Sequence, residues 1–477
     1  MSFNLLLART FGLLKSTEKL ETAYESLLAD YTMFCEFVNS GGKKDYHELE
    51  ILVHSATFKQ KKHELQHLSL KGSKEAAQLT ELKRLEHNHH LQKFYETLKS
   101  DELKRFEKIS ATDLPAKYSK LKSQVESPSF DVKKKKDEQS EEYQQYTEFH
   151  RLKSSDDIQF LEHFKKSAAY KNYLEFKDSP ERKELEKLRA TVASDEFKSR
   201  VAYLEDPQKW EKSEEHAKQK HFSDMRKLPE VINYLKYENS NAFDFFQKWN
   251  LVFEDRFNSG KLDHEKWLTL SHWANQALGQ NFSQPGDLHA FTDGKNVSID
   301  GKSLKIELRR EKAKGMQWRI PFGFVEQEFD YTSGIVSTAG IEWWKHGILE
   351  AKVKYSPDSN LVDVIYLLGE ETSPQINLLE MGARNRVGVL SKSSDGINAE
   401  CGSISGLKPG EYYIFKLEWS AHSLVWKVNE RVVFTLDHNI PAFKMHLNAA
   451  SIMVSEGSSL PHRFEIDWVR FYQHAKE

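Results

Sequence analysis

Residues 374–380, PQINLLE, place two amides and a carboxylate on one short stretch: Gln375, Asn377 and Glu380. Amide side chains donate and accept hydrogen bonds while an ionised carboxylate only accepts, so the trio suits a hydroxyl-rich ligand. It does not suit covalent catalysis, because a neutral amide is a poor nucleophile. A second constellation is HELQH, His63 to His67. On a helix this H-E-x-x-H pattern puts two imidazoles on one face and leaves Glu64 to act as base on a metal-bound water. Glu86, His87 or His89 in RLEHNHH (84–90) are the available third ligands. The flanking KQKK (59–62) points the other way, to a solvent-washed helix, and that reading is preferred.

The elements that position these residues differ between the two halves of the chain. At 477 residues it exceeds one ordinary core. Residues 1–249 hold only four of the 22 glycines and are rich in Lys, Glu, Leu and aromatics, which is helical grammar. LKSDELKRF (98–106), FKKSAAYKNY (164–173), FKDSPERKEL (176–185) and VASDEFKSR (192–200) form a loose repeat. In each, a serine hydroxyl can accept a free backbone N–H at a helix start, and the acids that follow complement the helix dipole. The steps from Ser167 to Ser179 to Ser194 are 12 and 15 residues, so an irregular stack of short helices is predicted, with neighbours burying each other's aromatic faces. The run KKKKDEQSEE (133–142) reads as a solvated linker, and a split into two subdomains is placed near 127–142. From residue 250 onward, alternating runs such as SLKIELRRE (303–311) and GILEAKVKY (347–355) between glycine turns predict antiparallel strands. The fold class is therefore multidomain α + β: an all-α repeat-like region over 1–249 and a β-sandwich (jelly roll) over 250–477.

Six stretches of the second half resemble, in order, glycoside hydrolase family 16, which includes laminarinases and lichenases. They are LVFEDRFNSGKLDHEKW (251–267), NVSIDGKSLKIELRRE (296–311), YTSGIVST (331–338), HGILEAKVKYS (346–356), FKLEWSAHSLVWKVNERVVF (415–434) and EIDWVRFYQ (465–473). The resemblance implies two curved antiparallel sheets with a sugar-binding cleft on the concave face. Its catalytic strand reads E-x-D-x-x-E, which gives Gln375 the nucleophile position, Asn377 the assisting position and Glu380 the acid/base position. Offsets 0 and 2 share a strand face, whereas offset 5 requires a β-bulge.

A retaining hydrolase needs two carboxyl groups about 5–5.5 Å apart, and here two of the three charges are gone. Losing a covalent nucleophile costs on the order of 10⁴–10⁶ in rate. SNLVDVIYLLGE (359–370) lies where the resembled family has its first cleft tryptophan, and Val362 or a neighbour stands in its place. The reading is a glycan-binding protein, its partner a polysaccharide of the β-glucan or galactan class, with hydrolysis lost. A rewired glycosidase recruiting Asp363 or Glu370 is the first alternative, and a protein-interaction scaffold the second. Trp343, Trp344, Trp318 and Trp273 are the sugar-platform candidates, since flat rings suit sugar C–H faces. Trp343 and Trp344 are adjacent on one strand, so one ring faces the core and the other the cleft. Asp467 matches a position where some family members hold structural calcium, and an ion pair is the competing reading.

A net charge of −3 with 30% charged residues gives no bulk reason for nucleic-acid binding. The two cysteines, Cys35 and Cys401, form neither a disulfide framework nor a zinc motif. The opening MSFNLLLARTFGLLK is interrupted by Arg9 and is too short to span a bilayer. It predicts an amphipathic first helix rather than a signal peptide, and a cytoplasmic leaning at odds with a mostly secreted family. The helical half is the part left to meet a protein partner.

Overall fold

The computed structural model describes residues 3–475 except 132, 137 and 395. Two compact units emerge, one of residues 44–227 and one of residues 1–43 with 228–477. The division differs from the change of sequence character at 249/250: residues 1–43 and 228–249 are helical in composition yet belong to the sandwich unit.

In the 44–227 unit the repeated serines start helices. Ser100, Ser167, Ser179 and Ser194 accept the backbone N–H of Leu103, Tyr170, Arg182 and Phe197. Each hydroxyl satisfies an N–H that the first helical turn leaves free. Alanine at any one of these positions is expected to lower the unit's stability by about 1 kcal/mol, read as a shift in urea midpoint at constant slope.

The helices do not stack neighbour on neighbour as the repeat suggested. They pair in nested order: Lys74–Glu86 with Pro180–Ala193, His89–Lys99 with Ala168–Phe176, Asp101–Ser110 with Asp156–Lys166, and Leu114–Val125 with Glu141–Lys153. Aromatic pairs join the two helices of a rung, with Phe94 stacked on Tyr173 at 5.5 Å and Tyr118 on Phe149 at 5.6 Å. The charged run at 133–142 therefore joins the outgoing and returning rows and separates no subdomains; Asp137 within it lies outside the described residues.

The sandwich unit has two sheets. One runs Phe3–Asn4, Gly396–Ser405, Arg386–Ser393, Gln375–Gly382, Leu361–Leu368, His446–Met453, Ile335–Ser337. The other centres on Tyr412–Trp419, Gly347–Lys354, His462–His474 and Leu304–Arg319. Every pairing within these two sheets is antiparallel except Phe3–Asn4 on Ile404–Ser405 and two short strands at 282–283 and 289–291. Alternation explains the layering: Ile365, Leu367, Ile376, Val387 and Leu447 from one sheet meet Leu349, Val353, Phe415, Leu417 and Phe471 from the other in one core. Trp267 is fixed in it by donating Nε1–H to Asp255 Oδ2 at 2.9 Å, which accounts for the D…W spacing of the 251–267 stretch.

The apolar start of the chain is used by this unit. Leu5 is fully buried in the sandwich core, in a short helix Leu5–Thr10, and the Thr17–Asn39 helix lies on the second sheet. Among the described residues no helix is long and apolar enough to cross a membrane.

Candidate functional site: a cleft beside a bulged polar strand

The strand Gln375–Gly382 is bulged where its spacing requires. Asn377 pairs with Tyr366 and Gly388, Glu380 with Val364 and Arg386, and the register slips between them on both neighbours. Ile376, Leu378, Leu379 and Met381 all enter the core. Two consecutive inward leucines mark the bulge, and they return Glu380 to the face that Gln375 and Asn377 share.

On that face the three side chains form one directed chain. Gln375 Nε2 donates to Asn377 Oδ1 (2.6 Å), and Asn377 Nδ2 donates to Glu380 Oε2 (3.0 Å). Arg386 Nε lies 2.9 Å from Glu380 Oε1. Glu380 can only accept, which sets the orientation of both amides in turn. Burial works against the Arg386 charge, but the Glu380 carboxylate outweighs it and holds the guanidinium above its ordinary value. One oxygen of Glu380 thus accepts from Asn377, and the other is ion-paired with Arg386. Glu380 is only 8% exposed and Asn377 is fully buried.

Around this chain the face is mostly neutral. Tyr366 lies beside Asn377 and Asn448 beyond it on the same rung, and burial pushes the Tyr366 phenol up to about 12, so it stays a hydrogen-bond donor. On the next rung, Ile335, Val364 and Ala450 form an apolar cluster with Phe291 packed against it. Asp363 is not on this face: it points between the sheets, where it accepts from Ser451 Oγ (2.6 Å) and pairs with His462 Nε2 (2.7 Å). Strand alternation alone excludes it from the cleft, since Val362 and Val364 on either side face outward.

The open part of the face is a cavity of about 850 Å³ at the Gln375 end, walled by His272, Trp273, Trp343 and Phe443, with Gln276, Glu370, Glu371, Ser373 and Lys444 at its polar edges. That size and mixture are those of a small-ligand site. Trp343 packs on His446 (4.5 Å) and His272 (5.3 Å), and His446 shares a rung with Leu368 and hence with Gln375. His446 is fully buried with neither ring nitrogen hydrogen-bonded, and burial, with His272 beside it, pushes its imidazole down to about 3.

Of the aromatic candidates, Trp343 and Trp273 are therefore brought together at the cavity. Trp344 faces the core against Phe253 and Phe471, so the adjacent pair divides between the faces. Trp318 lies on the Leu304–Arg319 strand against Phe324 and takes no part in the cavity wall. Glu370 reaches the cavity edge. Asp467 Oδ2 is held by Lys352 Nζ at 2.8 Å, and among the described residues no group of three His, Cys, Asp or Glu could hold a metal. An ammonium occupies the place a cation would take, so the surroundings of Asp467 do not fit calcium. His63, Glu64 and His67 are all exposed on the Ala56–His67 helix, with the two imidazoles stacked on each other at 4.0 Å. Sequence reasoning missed His272, Arg386, Phe443 and His446. Only His446 left a signal, as the first of two polar residues, with Asn448, at alternate positions of an apolar strand.

The C-terminal half of this chain is thus a two-sheet antiparallel sandwich with an aromatic-walled cavity beside a polar, bulged strand. No protein-family model matches the chain. Its sequence is similar to the clotting factor G alpha subunit of Tachypleus tridentatus, 24% identical over 256 residues. The match covers 48% of this chain and 34% of that protein, so the chain spans about a third of its relative's length. Similar solved structures include the catalytic domain of an endo-1,3-β-glucanase (laminarinase) from Thermotoga petrophila, 20% identical with a TM-score of 0.39, covering 48% of this chain and 99% of that one. The laminarinase from Rhodothermus marinus is 18% identical with a TM-score of 0.38, covering 48% and 98% respectively.

Proposed function

We propose that the sandwich binds a neutral β-linked polysaccharide in the cavity between Trp273 and Trp343 and does not cut it by the two-carboxylate route. One observation carries this reading: an aromatic-walled cavity opens beside a strand whose only outward carboxylate has one oxygen hydrogen-bonded by Asn377 and the other ion-paired with Arg386. Retaining hydrolysis needs a second carboxylate to capture the sugar and a proton on the first. Gln375 supplies no nucleophile, and Glu380 is already ion-paired with Arg386. What remains is recognition. Tryptophan faces take sugar C–H surfaces, while Gln276, Ser373 and the half-buried Gln375 amide can pair with hydroxyls.

Calorimetry on the full chain with tetrasaccharides of β-1,3-glucan, mixed-linkage β-glucan and β-galactan tests it. At least one is expected to bind, and Trp343→Ala is expected to weaken that binding about tenfold, equivalent to about 1.4 kcal/mol. Absence of heat with every sugar would remove the reading, as would binding that Trp273→Ala and Trp343→Ala leave untouched.

A further inference from the structure

The exposed aromatic tip of the long hairpin is the feature that the cleft does not absorb. Strands Leu304–Arg319 and Gly323–Ser333 pair out to Arg319 and Gly323. At the turn, Ile320 is 80% and Phe322 79% exposed, while Trp318, 38% exposed, packs edge-on against Phe324 at 4.9 Å. Phe282 extends this group by contacting Phe324 at 4.8 Å. Bulky apolar side chains held at such exposure on a paired hairpin mark a contact surface.

Two connections join the tip to the cleft. Phe282–Ser283 pairs in parallel with Met316–Gln317, and the same short segment carries the His272–Ala277 helix, whose Trp273 forms a cavity wall. On the other side the hairpin runs straight into Ile335–Ser337, the edge strand of the cleft sheet. A chain leaving the cavity past Trp273 thus meets a second set of rings on the same margin of the sandwich.

Charge decides what that chain is. Two cations near the tip face carboxylates, Lys314 Nζ lying 3.2 Å from Glu326 and Lys312 Nζ 3.8 Å from Asp330, while Arg319 bonds the neutral amides of Gln317 and Gln327. An anionic bilayer is drawn by clusters of unbalanced Lys and Arg, and Arg319 alone does not make such a cluster. Apolar faces rimmed by amides suit a neutral sugar chain instead.

We propose that Trp318 and Phe322 form a second binding platform for the same neutral polysaccharide, engaged only by chains long enough to reach beyond the cavity. This rests on the glycan-binding reading of the cleft. A ligand spanning both sites gains affinity by making the second contact intramolecular.

The test compares the full chain with its Trp318→Ala/Phe322→Ala variant, both residues being exposed enough to change without loss of the core. Each is titrated with the tetrasaccharides above, with the corresponding soluble polymers, and with phosphatidylcholine/phosphatidylserine vesicles. The variant is expected to match wild type on the tetrasaccharide and to bind the polymer about tenfold more weakly. Neither protein is expected to bind vesicles. Equal polymer affinity in the two proteins overturns the platform and leaves the cleft reading standing. Vesicle binding lost in the variant also overturns it, in favour of a membrane contact. Failure of wild type to bind any sugar, short or long, removes both.

Discussion

Removing residues 1–43 is expected to cost the sandwich its stable fold, although that segment lies more than two hundred residues away in sequence from the first large strand. The backbone of Phe3–Asn4 extends the cleft sheet along Ile404–Ser405, and Leu5 fills the core between the sheets. On the second sheet, Glu21 meets Lys352 at 2.9 Å and accepts the Trp468 indole N–H at 2.8 Å. Tyr24 lies under the Arg470 guanidinium at 4.6 Å, and Thr17 donates to the Tyr412 carbonyl at 2.6 Å. Deleting the segment opens a leucine-sized hole, costing about 2–5 kcal/mol alone. It also strips partners from half-buried charges, which adds a further penalty of several kcal/mol. That is comparable with the whole stability of an ordinary domain. Hydrogen exchange and urea unfolding of a 44–477 chain are expected to show lost protection across Tyr412–Trp419 and a collapsed midpoint for the sandwich. An unchanged midpoint would mean the segment is a passenger. The same reasoning predicts that residues 250–477 alone are a poor vehicle for binding assays.

Acid is expected to destabilise the sandwich before most of its carboxylates protonate; Asp287, which burial pushes up to about 6, takes up its proton earlier and offsets part of the loss. His446 and His289 are buried and neutral, with burial pushing their imidazoles down to about 3 and about 4. In the unfolded chain both take up a proton near 6.5. The unfolded state therefore binds more protons than the folded state below that pH, and stability falls as pH falls. Each group contributes about 1.4 kcal/mol per pH unit, so the pair removes roughly 5 kcal/mol between pH 6.5 and 4.5. His462 acts with the opposite sign. Burial opposes its charge, but Asp363 outweighs this and holds it above its ordinary value, so its contribution is complete below 6.5 and is lost only at higher pH. Urea midpoints at pH 7, 5.5 and 4.5 are expected to fall steeply. A His446→Phe/His289→Gln variant should flatten the curve; a flat profile in wild type would contradict the protonation states assigned here. Because His446 under Trp343 stays neutral in the folded protein down to about 3, glycan affinity of the folded protein should hold over the same range.

Much of the sandwich was legible because strand grammar is local. The runs at 303–311 and 347–355 alternate visibly and became Leu304–Arg319 and Gly347–Lys354. The offset from Gln375 to Glu380 even implied the bulge, because a face can be shared at that spacing only with an extra residue. The serine caps were legible for the same reason. What escaped was long-range pairing. Nothing local in the helical repeats distinguishes stacking on the next helix from pairing with one far along the chain, so the nested order stayed hidden. The N-terminal strand and Leu5 were read as a separate helical half because only their partners, Ile404 and the sandwich core, assign them. Arg386 was missed likewise: it becomes Glu380's counter-ion through a strand pairing that composition does not show.

The central claim is that the cleft holds sugar without cutting it. Reducing-end release from the polysaccharide that binds best is the direct measure, run on the full chain beside Glu380→Gln at saturating ligand. The account predicts no product from wild type above the Glu380→Gln control, with binding intact in both. Turnover by wild type that vanishes in Glu380→Gln would contradict it.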